Sequence, residues 1–197
     1  MGHRRADVVE HALGVLDSYG LADLTMRRLG AELGVQPSAL YHHFATKQLL
    51  LAAVADEILA RGPQVPRSGP WDDRVAAVCT GLRDAMLAYR DGAELVATSY
   101  SFGLGADAPY DDLAGALAAG GVPAELVPTA ARTLLHFVFG HVGDEQTHLQ
   151  AGSAGAIDGD PFPESDFAAG LAIVLDGIRL RVPDRSGIEK RGPRTGR

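Results

Sequence analysis

The sequence predicts an all-α fold. Three observations carry this: apolar residues recur at three- and four-residue spacing, N-capping residues and glycines punctuate those stretches, and no segment reads as a strand. With 197 residues, 46% hydrophobic and 22% charged, the chain is long enough to bury a real core.

Val8, Val9, Ala12, Leu13, Leu16 and Tyr19 step along a first helix over 5–19, which Gly20 ends. Thr25 is a good N-cap for a short helix through Leu33, and Gly34 stops it. Pro37 suits the first turn of a third short helix running to about His43. Thr46 caps a fourth, with Leu50, Leu51, Val54, Ile58 and Leu59 on its apolar side. Three prolines within 62–70 forbid a helix and mark a linker. Trp71, Val75, Val78, Leu82, Met86 and Tyr89 define a fifth helix. Shorter helices follow near 91–101 and 110–119. A long one covers about 124–150, behind Pro123 and Pro128, and a last one about 164–180. Residues 151–163, rich in Gly, Ala, Ser, Asp and Pro, read as mobile, and the basic tail from Pro183 as disordered. The expected divisions are 1–47, 48–182 and 183–197.

The net charge of −7 is unevenly spread. Residues 1–50 balance five basic against five acidic residues, 51–178 hold six basic against eighteen acidic, and 179–197 hold seven basic against two. The acidity therefore sits in the middle of the chain and leaves the first fifty residues neutral, so an acidic total does not exclude nucleic acid. No apolar stretch reaches the roughly 18 residues of a spanning helix, and no apolar segment follows the charged start. Neither a membrane partner nor a secretory signal is expected. The single cysteine, Cys79, permits no intrachain disulfide and fits a reducing cytoplasm. No basic residue adjoins it, which favours a buried inert thiol over a redox sensor.

The stretch from Leu24 to Lys47 carries the chemistry. Two helices of about two turns flank a tight turn at Gly34. Leu29, Leu33, Val35, Leu40 and Phe44 are spaced to bury against the first helix, which leaves Arg27, Gln36, Ser38, Ala39, Tyr41, His42 and His43 free. Such a third helix fits the major groove, about 12 Å wide. Gln, Ser and Arg read base edges; Tyr, His, Lys and the helix N-terminus suit phosphates.

Elsewhere, spacings of three, four and seven put His141, Asp144 or Glu145, and His148 on one helical face, where they could hold Zn²⁺ or Ni²⁺. The plainer reading, a polar helix end, is preferred, so no metal and no cofactor is expected. There is no nucleophile elbow, phosphate loop or zinc-binding HExxH pair, and no enzymatic activity is expected. The long helix and the last helix carry apolar residues on more than one face. Leu135, Val138, Val142 and Leu149, with the small residues Ala169, Gly170, Ala172 and Gly177, predict a homodimer through about 124–150 and 164–180, packed as a four-helix bundle.

The pattern Leu24-Thr25-x-Arg27-x-Leu29-x-x-x-Leu33-Gly34-Val35, followed by Ala39-Leu40-Tyr41-x-His43-Phe44 and Lys47, resembles the signature of the tetracycline-repressor (TetR) family. The resemblance implies an N-terminal three-helix helix-turn-helix domain and a C-terminal helical ligand-binding and dimerisation domain. It implies that Thr25 and Lys47 hold phosphates, that Tyr41, His42 and His43 anchor the DNA backbone, and that Arg27, Gln36, Ser38 and Ala39 face bases. Function is then repression: a dimer on a palindromic double-stranded operator, released by a small-molecule inducer.

Trp71, Tyr89-Arg90-Asp91-Gly92-Ala93, and His136-Phe137-x-x-Gly140-x-x-x-Asp144-Glu145-Gln146-x-His148 further resemble the ligand domain of the family's tetracycline-binding members. Aligned on Arg90 to Ala93, the His that ligates Mg²⁺ in those members falls at Val96, the supporting Thr at Ser99 and the acid at Asp144. Two further polar drug contacts fall at Pro63 and Val78, and an aromatic one at Leu82. Valine cannot ligate Mg²⁺. The expected inducer is therefore different and largely apolar, with Val78, Leu82, Val96, Ser99, Phe102, His136 and Phe139 as expected lining.

Overall fold

The computed structural model describes residues 3–64, 66, 68–156 and 165–183; the expectations of mobility in 157–163 and disorder in 184–197 lie outside the described residues. Among the described residues there are nine helices and no strand. They are α1 (Arg5–Tyr19), α2 (Met26–Glu32), α3 (Pro37–Leu40), α4 (Lys47–Arg61), α5 (Trp71–Leu87), α6 (Gly92–Ser101), α7 (Ala108–Ala119), α8 (Val127–Ser153) and α9 (Phe167–Arg179).

The local signals act where expected. The Thr25 hydroxyl accepts the Arg28 N–H at 3.1 Å, and Thr46 accepts the Leu49 N–H at 3.2 Å, capping α2 and α4. Gly34, at φ +66°, turns the chain between α2 and α3. Gly30 answers a second requirement: a Cβ there would lie 2.9 Å from the Val35 carbonyl oxygen.

The third helix is shorter than the sequence suggests. It ends at Leu40, and 41–43 continue as turns, with His43 N–H bonding Leu40 at 3.0 Å in a tighter i to i+3 pattern. The seventh helix starts at Ala108, because Pro109 is compatible with a first turn. The eighth runs on to Ser153, through residues whose composition had suggested a loop.

α1, α2 and α3 pack around Leu16, Leu29, Leu40 and Phe44, and α4 closes this cluster from below while its other side meets α5 and α6. α5, α7 and α8 form the centre of the larger body, and α9 lies on α8. Here the dimer expectation needs correction. Leu135, Val138 and Val142 are 0% exposed within the single chain, because this stripe of α8 faces α5, α6 and α7. Gly170 is likewise used internally, since a Cβ would meet the Phe137 ring at 2.8 Å. Of the residues expected at the dimer surface, Leu149, Ala169, Ala172 and Gly177 remain exposed, and Ile173 (73% exposed) and Leu180 (85%) join them.

Candidate nucleic-acid interface and ligand cavity

Arg27, Gln36, Ser38, Tyr41 and His42 are exposed on the α2–α3 end of the molecule. Tyr41 keeps 50% of its surface exposed although it is aromatic. Ala39, His43 and Lys47 are half-buried. Thr25 is exposed but already engaged as the α2 cap, which leaves its hydroxyl proton available to an outside acceptor. The neighbouring arginines divide the work. Arg28 bonds Asp23 at 3.1 Å and covers the Tyr19 ring at 3.5 Å, a structural use, whereas Arg27 is exposed. Arg5, which the sequence argument passed over, lies 4.6 Å above the Phe44 ring and adds a cation beside the α3 turn.

A cavity of about 400 Å³ lies between α4, α5, α7 and the linker after α4. Val78 and Leu82 line it, as do Leu59, Pro109 and the charged Asp56, Arg74 and Asp112. The other expected lining residues are elsewhere. Val96 and Ser99 are buried in the core, Phe139 packs on Tyr100 at 5.6 Å, and Phe102 and His136 border a separate open hollow with Arg132 and Tyr110. The seven do not surround one space, because the α4–α5–α7 arrangement, invisible in helical spacing, decides where the chain leaves a gap.

The metal–tetracycline geometry does not fit these residues. Val96 is 0% exposed and has no ligating atom, while Asp144 is exposed on α8. The 141–148 cluster is organised for other purposes. Arg83 grips Glu145 through two hydrogen bonds, one of them 2.9 Å. His141 contacts Ser165 at 3.2 Å and Asp166 at 3.6 Å, and meets the Phe167 ring edge-on with centroids 5.2 Å apart, so it docks the start of α9. His148 Nδ1 lies 3.3 Å from the Asp144 carbonyl oxygen. No three His, Cys, Asp or Glu residues among those described are placed to hold a metal ion. Burial pushes the Cys79 thiol up to about 12, which keeps it protonated and unreactive.

Two polar connections whose bonds the sequence does not show join the N-terminal helices to the larger body. Asp56 of α4 accepts the Ala106 N–H at 2.7 Å, holding the α6–α7 loop where Ala106 has φ +63°. Asp91, itself left-handed at φ +54°, accepts the Leu21 N–H at 2.7 Å and the Gln150 amide at 2.8 Å. Beside it, buried Gln146 accepts from Ala93 N–H at 3.0 Å and donates to the carbonyls of Met86 and Tyr89. Asp91 and Gln146 stood out in the sequence only as part of the ligand-domain resemblance; that they bridge this junction depends on the left-handed backbone at Asp91, which sequence does not reveal in a non-glycine residue.

An exposed polar short helix after a capped partner, on a bundle with its own cavity, defines a helix-turn-helix regulator with a ligand domain. The comparisons place it. Residues 8–54 match the model described as bacterial regulatory proteins, tetR family, and 63–165 match the tetracyclin repressor-like C-terminal domain. The chain belongs to the TetR family of non-enzymatic, DNA-binding transcriptional repressors.

It is similar to the tetracycline repressor protein class A from transposon 1721 of Escherichia coli, with 34% identity covering 96% of this chain and 95% of that one. It is also similar to the crystal structure of Mycobacterium smegmatis BioQ, with TM-score 0.84, 41% identity, and 91% and 99% of the two chains covered. BioQ bound to its natural double-stranded DNA operator gives TM-score 0.80 at 40% identity, covering 89% of this chain and 98% of that one. Streptomyces coelicolor ActR in complex with (S)-DNPA gives 0.74 at 28% identity, covering 91% and 98%. No helix of the described residues is long and apolar enough to cross a membrane.

Proposed function

We propose that the protein acts in the cytoplasm as a homodimer on a palindromic operator and leaves it when a small molecule with a largely apolar body fills the α4–α5–α7 cavity. The carrying observation is that one helix serves both ends: α4 begins at Lys47 beside the α3 turn and reaches the cavity with Asp56 and Leu59. BioQ bound to its operator and ActR bound to (S)-DNPA, relatives that each cover most of this chain, support a DNA partner and a small-molecule partner in turn. Residues 1–47 form the DNA-binding unit and 48–182 the ligand-binding and dimerisation unit, with 183–197 a basic tail.

On DNA, Gln36, Ser38, Ala39 and Arg27 face base edges, and Thr25, Tyr41, His42, His43 and Lys47 contact phosphates. The dimer pairs α8 and α9 with their copies across the exposed Ile173 and Ala172 surface. This sets two α3 helices about 34 Å apart, one helical turn of DNA. The ligand acts by preferring the α4 position that misaligns them, and operator affinity falls by no more than that differential affinity. The experiment is capture of fragments of the host's own chromosome by the purified chain. Enrichment of a few fragments sharing an inverted repeat is expected; enrichment governed only by fragment length contradicts the reading.

A further inference from the structure

We propose that the α4–α5–α7 cavity selects an organic acid, and that Arg74 reads its acidic group. This deepens, and rests on, the reading of that cavity as the inducer site. Arg74 sits on the second turn of α5 and lines the cavity with Val78 and Leu82, one and two helical turns further along. Its Nε is closed off from solvent and has no hydrogen-bond partner among the described residues, and none of their carboxylates forms an ion pair with the guanidinium. Arg28 Nε is likewise closed off without a partner, but its guanidinium is paired with Asp23 through Nη1, and among the described residues Arg61, Arg83 and Arg179 are also paired, with Glu10 and Glu57, with Glu145 and with Asp72.

The Arg74 side chain is half-buried, and an N–H shut off from water without an acceptor is costly, a cost that an acceptor from outside the chain removes. The planar fork suits a carboxylate or a comparable oxyanion in two parallel bonds. Leu59, Val78, Leu82 and Pro109 give such a ligand an apolar wall. Asp56 and Asp112 narrow the class further. Their charges oppose an acidic group anywhere in the cavity except against Arg74, so the ligand is a single acid seated there on an apolar body, with any remaining polar group a hydrogen-bond donor.

The test uses the full chain and three matched pairs as probes: naphthoate, decanoate and biphenylacetate, each beside its primary amide. Affinities are measured calorimetrically for the wild type, Arg74→Gln and Arg74→Lys, with the fold of each checked by circular dichroism. The expected result is an acid preference of about ten-fold or more in the wild type, lost in Arg74→Gln and partly restored in Arg74→Lys. Equal binding of acids and amides, an acid preference that survives Arg74→Gln, or no binding by any probe at millimolar concentration overturns the proposal. Operator occupancy is scored in parallel. Acids that bind through Arg74 without releasing DNA uphold the acid site and sink the inducer reading. Amides that bind and release DNA as well as acids do the reverse.

Discussion

At the scale of single residues, the proposed DNA face separates into groups with different expected signatures. If Gln36 faces a base edge as proposed, Gln36→Ala weakens the preferred operator by about 1–3 kcal/mol and relaxes choice at one position. On the proposed phosphate role of Lys47, Lys47→Ala weakens all sequences alike and lowers the salt slope by about 1. Fluorescence anisotropy over a salt series distinguishes the two. Asp72 offers a pH test. The Arg179 guanidinium holds its carboxyl below the usual carboxylate range. The ion pair therefore stabilises the fold above about pH 3.8 and is lost as pH falls through the lowered value. Melting curves of Asp72→Asn should show a weaker fall in stability on acidification than those of the wild type. Identical pH profiles would remove this pair from the account.

At the scale of elements, α1 and the capped starts of α2 and α4 were legible because caps, glycines and apolar spacing all agree there. The exposure of Gln36, Ser38 and Tyr41 was legible for a related reason: burying Leu29, Leu40 and Phe44 leaves few ways to point them but outward. The cavity was not. Val78 and Val96 look alike in spacing, yet only the packing of α7 and α4 on α5 leaves space at one and fills it at the other. The same limit hid the joints between elements. Gln146 reads as one more polar residue, but it ties α8 to both sides of the α5–α6 corner. Gln146→Leu strands the Ala93 N–H and two carbonyls, and is expected to cost about 1–3 kcal/mol in chemical unfolding. Asp56→Ala frees the α6–α7 loop from α4. It should change the ligand concentration needed to release DNA more than it changes melting temperature, and a loss confined to stability would make the Ala106 bond merely structural.

For the whole molecule, the acidic centre and neutral first fifty residues place the negative charge away from the DNA-facing end. The buried α8 stripe moves the expected dimer surface onto Ile173 and its small neighbours on α9. Ile173→Asp puts a charge in that surface and should give a folded monomer by sedimentation with greatly reduced operator binding. A dimer of unchanged affinity would locate the interface elsewhere. The central claim is that two copies of α3 read one symmetric DNA site. It is tested most directly by selecting bound duplexes from a random pool at near-physiological salt, with Tyr41→Ala alongside. The account predicts a single inverted repeat with half-sites about one helical turn apart, recovered by the wild type and lost by the variant. Recovery of no sequence, or of the same sequence by both proteins, would contradict it.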